Sequence, residues 1–207
     1  FSSRRRHTRY PLVTGVRRVL FRSKEILGVI SLDLFAVFFG GATALLPYFS
    51  DVVLKTGAEG LGVLRAAPGI GAIVAMLVVN FIGMKSNQGK WMLWCVAGFG
   101  LTIIIFGLST WFWISFIALL LSGLLDGISI IVRSTVLQLK TPEQMKGRVS
   151  ALNSIFIISS NELGAFESGF ASRLMGAVPA VVFGGAMTIA VVVTTWFKAP
   201  EIRKINY

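Results

Sequence analysis

Long apolar stretches alternate with short polar joints along the chain. From Lys24 onward there are six such stretches, each close to or longer than the roughly 20 helical residues that cross a bilayer. The joints, such as KTGAEGLG and LKTPEQMKGR, contain glycine, proline and charged residues that end helices. The pattern predicts an all-α membrane protein with six spans, at residues 26–53, 61–82, 91–109, 113–139, 149–173 and 178–197.

Composition supports a chain that is solvated mainly by lipid. Hydrophobic residues make up 55% of the chain and charged residues 14%, and the mean hydropathy is +0.77. The third and sixth stretches contain no charged residue, so a water-soluble bundle of these helices would lack polar outer faces. The lone Cys95 cannot form an intrachain disulfide.

The first 23 residues differ from the rest in charge. They hold seven arginines and no acid, whereas the other 184 residues hold 13 basic and 9 acidic residues, a net charge of +4. Such a head is typical of a transit peptide, a lipid-binding segment or a nucleic-acid arm. However, codons chosen for VTGVRRVLFRS reproduce a widely used sequencing-adapter primer with one base lost. We therefore expect residues 1–23 to be non-native, adapter-derived and disordered, and we expect no nucleic-acid partner.

Basic residues in the joints predict the orientation, because cationic loops stay in the cytoplasm. With six spans, both ends and the second and fourth joints share one side, whereas the opposite joints hold Lys55 and, at a helix end, Arg173. Both ends of residues 24–204 are therefore expected in the cytoplasm, with residues 198–207 as a tail. The basic residues on that side are Lys24, Lys85, Lys90, Lys140, Lys146, Arg148, Lys198, Arg203 and Lys204.

Ionisable residues inside the spans are candidate functional groups, because a central Asp or Arg costs about 2.5–3.5 kcal/mol on insertion scales. The first, second, fourth and fifth spans carry them, and the third and sixth do not. This order favours a three-plus-three repeat whose third helices form an outer scaffold, the alternative being chance placement. Asp33 lies about 13 Å along the helix from Lys24, near the middle of the core. It is either a proton-coupling carboxylate or one member of a structural ion pair.

Spacing limits which of these groups can pair. Asp126 and Arg133 are seven residues apart on one helix face, about 10 Å from each other, so each needs another partner or intervening water. Glu162 and Glu167 are turned by roughly 140 degrees and cannot form a paired acid site. For Glu167 a structural ion pair is favoured over proton coupling. Asn161 lies beside Glu162 in the same span.

The joint TPEQMKGRVSALN predicts a short turn into a helix. Thr141 is expected to cap that helix, with Gln144 completing a capping box. Lys146 and Arg148 then offer charge to acidic helix ends or lipid phosphate, and topological anchoring is favoured over gating.

Two stretches of the chain are distinctive: LLDGISIIVRSTVLQLKTPEQMKGRVSALNSIFIISSNELGAFESGF, residues 124–170, and GGATALLPYFSDVVLKTGAEGLGVLRAAPGIGA, residues 40–72. They resemble major facilitator superfamily transporters, particularly the bacterial drug:proton antiporter and siderophore-exporter-like branch. The resemblance covers residues 24 to about 204. It implies the carboxyl-terminal six helices of a twelve-helix bacterial inner-membrane transporter, with an amino-terminal six-helix half as the missing partner. The joint GMKSNQGK lacks the acid and most basic residues of the family's gating loop.

The resemblance also implies roles for the helices and residues. In that family the first and fourth helices of a half line the cavity, the second and fifth flank it, and the third and sixth are peripheral. The implied function is proton-coupled export of small amphipathic molecules by alternating access; the alternatives are a facilitator or symporter, or a six-helix scaffold or receptor. With no metal or nucleophile motif in residues 24–207, no enzyme, metal or cofactor is expected. Proton-coupling or cavity candidates are Asp33, Asp126, Arg133, Asn161 and Glu162; structural or gating candidates are Arg65, Gln138, Lys146, Arg148, Glu167 and Arg173.

Overall fold

The computed structural model describes residues 24–82, 87–199 and 203, and this part of the chain contains helices and no strand. The predicted adapter-derived head, residues 1–23, and most of the predicted tail lie outside the described residues. Six long helices follow one another, named here α1 (Lys24–Phe39), α2 (Gly57–Ile82), α3 (Gln88–Leu108), α4 (Phe112–Lys140), α5 (Lys146–Met175) and α6 (Ala177–Lys198).

Five segments are long and apolar enough to cross a membrane, and they correspond to the first, second, third, fourth and sixth predicted spans. Helix α5 is the longest, with 30 residues or about 45 Å, but it carries five charged residues and is not among them. The all-helical prediction is confirmed for the described residues. That the fifth span, residues 149–173, crosses the membrane stays a prediction. The five apolar segments are Gly28–Val53, Gly57–Phe81, Gln88–Leu108, Phe112–Leu139 and Ala177–Lys198.

The first predicted span is not one continuous α-helix. Helix α1 ends at Phe39, and the chain continues through a turn into short 3₁₀, α and π-helical turns that end at Val53. A side chain at Gly41 would come within 2.8 Å of the carbonyl oxygen of Gly164 on α5. Gly184 on α6 likewise packs directly on the Phe39 carbonyl. The interruption therefore lies where both α5 and α6 approach the backbone of this segment.

Helix neighbours follow a repeating scheme. Helix α2 packs on α4, α4 on α3, α3 on α6, α6 on α1, and α1 on α5, with a further contact between α5 and α6. In a three-plus-three comparison, α1 corresponds to α4, α2 to α5 and α3 to α6. Under this correspondence, the α2–α4 pair matches the α5–α1 pair, and the α3–α4 pair matches the α6–α1 pair. The α3–α6 pair matches itself. This correspondence is what a three-plus-three repeat would produce.

Glycine permits the close crossing of α2 and α4. A side chain at Gly71 would collide with the carbonyl of Leu120, and one at Gly123 would collide with the backbone of Pro68. The same is not true of Gly69, where no atom lies within 4 Å of the added carbon. Close backbone approach of small residues is a common way to pack membrane helices.

The joint between α4 and α5 corrects the predicted capping box. The hydroxyl of Thr141 donates to the carbonyl of Leu137 at 2.6 Å, which completes the end of α4. A 3₁₀ turn, Glu143–Met145, then leads into α5, and neither the turn nor the helix has a side-chain cap. The prediction that Thr141 and Gln144 cap the following helix is therefore wrong, because the threonine bonds backward along the chain.

A buried ion pair between helices α1 and α4

Asp33 on α1 and Arg133 on α4 form an ion pair through Asp33 Oδ1 and Arg133 Nη1. Ile30 packs against a cluster of Leu137 and Val149, so the start of α1 lies beside the end of α4. Measured along the helices, Asp33 is about 13 Å from the start of α1, and Arg133 is about 10 Å from the end of α4. The two residues therefore meet at a similar depth.

Both members of the pair are buried. The Asp33 side chain is 10% exposed and the Arg133 side chain 2%. Breaking such a pair by removing one partner leaves an uncompensated buried charge, which costs about 3–5 kcal/mol. The Nε of Arg133 is also buried and has no hydrogen-bond partner within the described residues. Because a guanidinium has five donors, Arg133 keeps capacity for another acceptor.

Apolar residues surround the pair. Val29, Leu32 and Ala36 on α1 and Val132 and Val136 on α4 belong to one buried cluster. Each of these side chains lies within about one helical turn of Asp33 or Arg133, so the pair is flanked by apolar residues on both helices. The low dielectric of such surroundings makes the charge state of the carboxylate decisive for the contact.

Arg133 takes its partner from another helix, as its spacing from Asp126 requires. Asp126 is half-buried two turns away on α4 and forms no ion pair with the described residues. The structure thus brings together two of the predicted coupling or cavity residues and leaves the third apart from them.

The other two candidates of that group lie on α5. Asn161 and Glu162 are exposed, and Glu167 is half-buried. The amide nitrogen of Asn161 donates to the carbonyl of Ile157 on its own helix at 3.1 Å. No hydrogen bond or ion pair of the described residues joins these side chains to Asp33 or Arg133. Asn161 and Glu162 are therefore polar positions on α5 that the described helices leave exposed.

The remaining candidates lie near helix ends or on the surface. Arg65, Arg148 and Arg173 are exposed. Lys146 pairs with Glu143, three residues before it, at 2.6 Å across the start of α5. Because this pair is exposed, it contributes about 0–1 kcal/mol to stability. Its geometry fits a local contact in the joint.

A small polar cavity between α4 and α5 includes residues that the sequence-based list lacks. Its volume is about 60 Å³, and Gln138 and Lys146 line it together with Ser134, Ser150 and Asn153. The signal was present in the spacing, since positions 134 and 138 on α4, and 146, 150 and 153 on α5, each follow one helix face. Uncharged polar residues in a span carry a smaller insertion penalty than charged ones, so the sequence gives a weaker signal for Ser134, Ser150 and Asn153 than for the charged candidates.

The amino-acid sequence matches one protein family and several curated proteins. The sequence model of the transmembrane secretion effectors matches residues 9–207, and the match begins within the head that the sequence sets apart. The origin of that head stays a prediction. Similar curated proteins include the enterobactin exporter EntS of Shigella boydii serotype 18 and of Escherichia coli O81, each 27% identical over 202 residues. These alignments cover 98% of the chain and 48% of each relative, so the chain spans about half the length of the curated relatives it matches.

Proposed function

The chain belongs to the transmembrane secretion effector family of the major facilitator superfamily, and we propose that it is the carboxyl-terminal six-helix half of a twelve-helix secondary exporter. Members of this family are transporters and not enzymes. The correspondence of the α2–α4 and α5–α1 pairs supports a three-plus-three half. We place it in the bacterial inner membrane with both ends of residues 24–204 in the cytoplasm, as the basic joints favour.

The proposed substrates are small amphipathic molecules moved out of the cell. The curated relatives are named enterobactin exporters, which makes enterobactin the first probe for this chain. Half of the proposed cavity belongs to the missing amino-terminal half. The exposed part of α5 that carries Asn161 and Glu162 is the surface that we assign to the cavity or to that half.

The observation that carries the mechanism is the Asp33–Arg133 ion pair. A proton that binds Asp33 neutralises the carboxylate and removes its attraction for Arg133. Loss of the pair removes the charged contact between α1 and α4 and weakens their association, which then rests on the apolar cluster that includes Val29, Leu32, Val132 and Val136. Release of the proton on the cytoplasmic side restores the pair. The cycle couples proton entry to alternating exposure of the cavity.

The test uses the complete transporter in proteoliposomes, with enterobactin transport driven by an imposed pH gradient. Asp33→Asn should abolish gradient-driven transport, because the amide cannot carry a proton, while exchange of enterobactin without a gradient remains. The double variant Asp33→Asn/Arg133→Gln should stay uncoupled even though its charges are balanced. Recovery of coupling in the double variant would mean that the pair is only structural.

A second carboxylate provides the comparison. Glu162→Gln on the exposed face of α5 tests whether proton coupling is shared between two sites. If Asp33→Asn and Glu162→Gln both leave coupled transport unchanged, the proton assignment is wrong. If none of the proteins moves enterobactin in either mode, the substrate assignment fails, and a panel of amphipathic dyes takes its place.

A further inference from the structure

The outer surface of the α3–α6 pair carries an apolar groove. The two helices run antiparallel, with Gly100 and Gly185 in direct contact, because a side chain on either would meet the other's carbonyl within 3 Å. Beyond this contact, toward the start of α3 and the end of α6, the two helices line a cavity of about 300 Å³. We call it the α3–α6 groove; its lining includes Leu93, Trp94, Ala97, Val193, Trp196 and Phe197.

Aromatic residues form the walls of the α3–α6 groove. Trp94 and Trp196 face each other edge to face, with ring centroids 6.5 Å apart. Trp94 is 68% exposed and Phe197 76%, so the groove is open to the surroundings of the helices. Its lining side chains present no polar surface. Tryptophans in membrane proteins concentrate at the level of the lipid head groups.

Basic residues stand at the rim of this groove. The guanidinium carbon of Arg203 lies 4.9 Å from the centroid of the Trp196 ring, a cation–π contact. Lys90 is exposed and lies one helical turn before Trp94 on the same face of α3. Neither α3 nor α6 contains an acidic residue. Among the described residues, the floor is therefore apolar and the rim cationic.

We propose that the α3–α6 groove binds an anionic phospholipid, with an acyl chain lying in the cavity beside the Trp94–Trp196 pair and the phosphate at Arg203 and Lys90. An acyl chain matches the wholly apolar lining, and an anionic head group matches the charge of the rim. Arginine suits phosphate because its planar fork donates two parallel hydrogen bonds. A second copy docked face to face would instead bring the same cations together, which disfavours that occupant.

Bromine-labelled lipids test the proposal through tryptophan fluorescence. In the full chain, Trp91, Trp111 and Trp113 are changed to Phe, which leaves the two tryptophans of the groove as reporters. The protein is placed in phosphatidylcholine vesicles with increasing fractions of dibrominated phosphatidylglycerol or dibrominated phosphatidylcholine. Half-maximal quenching should need a lower fraction of the anionic lipid, by roughly five-fold for each of the two basic contacts near the membrane surface.

Two variants and a matched control locate the effect. Lys90→Gln/Arg203→Gln should remove the preference for phosphatidylglycerol, and Ala97→Phe, which fills the groove, should reduce quenching by both lipids. Arg173→Gln removes one exposed positive charge at the far end of α5 and should keep the preference. Equal quenching by the two lipids in the reporter protein, or a preference that survives the double variant, would overturn the proposal. A third outcome would also overturn the proposal. If the Val193→Cys variant in a Cys95→Ala background forms a disulfide-linked dimer and the reporter protein shows no lipid preference, a second copy covers the groove.

Discussion

Asp33 and Arg133 differ in how each can respond to the loss of its partner. A lone buried aspartate can become neutral by binding a proton, whereas a lone arginine stays charged. Arg133 is also the more deeply buried of the two, at 2% exposure against 10% for the aspartate side chain. Removing the acid should therefore harm the protein more than removing the base.

A double-mutant cycle measures this difference as stability. Asp33→Asn should lower the free energy of unfolding by about 3–5 kcal/mol, Arg133→Gln by less, and the double variant by less than Asp33→Asn alone. Thermal unfolding in detergent provides the measurement. Arg173→Gln, at an exposed position, should change stability by no more than about 0.5 kcal/mol and serves as the control. Additive effects of the two single changes would contradict a direct interaction.

The depth of Asp33 in the membrane and the identity of its partner depend on different features of the chain. The depth of Asp33 follows from counting residues from the basic end of its span, because a helix rises by a constant 1.5 Å per residue. The identity of its partner does not follow from such counting, because it depends on which helices are neighbours and on their rotation. The spacing of Asp126 and Arg133 excluded one partner without supplying another.

Helix pairs depend on single glycines where their backbones cross. Gly123 lies against the backbone of Pro68, while Gly69, one residue along α2, has open space around it. In the sequence, both glycines lie near other small residues and look alike. Only the rotation of the helices decides which one is needed for the crossing.

Substituting alanine for each glycine distinguishes the close crossing at Gly123 from the open position at Gly69. Gly123→Ala should lower the free energy of unfolding by about 1–3 kcal/mol, because the added methyl group displaces the α2 backbone. Gly69→Ala should be neutral or raise it by up to about 1 kcal/mol through helix propensity. The midpoints of thermal unfolding in detergent report both effects. A Gly123→Ala protein as stable as Gly69→Ala would show that the crossing tolerates a side chain.

Orientation is a property of the whole chain and rests on the distribution of basic residues. The α3–α4 joint is predicted outside and the α4–α5 joint inside, where Lys146 and Arg148 lie. Single cysteines at two exposed joint positions, Thr110→Cys and Gln144→Cys in a Cys95→Ala background, test this arrangement. A membrane-impermeant maleimide should label position 110 in intact cells and position 144 only after permeabilisation. The reverse pattern would invert the proposed topology.

Five of the six spans could be predicted from the sequence, because apolar length is written directly into it. The same hydropathy pattern predicted a fifth span at residues 149–173, although α5 carries five charged residues and is less apolar than the other five segments. A polar helix can be stable in a membrane protein only if its polar face meets other protein or water. The hydropathy pattern alone does not show whether protein or water covers the polar residues of α5.

Local composition and spacing are enough to predict the all-helical class, the approximate positions of the helices, the family and the charged residues within apolar segments. The packed arrangement of the helices was needed to show that Asp33 meets Arg133, that α1 is interrupted near Gly41, and that Thr141 closes α4 instead of capping α5. These features depend on the rotation and proximity of helices far apart in the chain. Such relations are set by the packing of all helices together and not by any one segment.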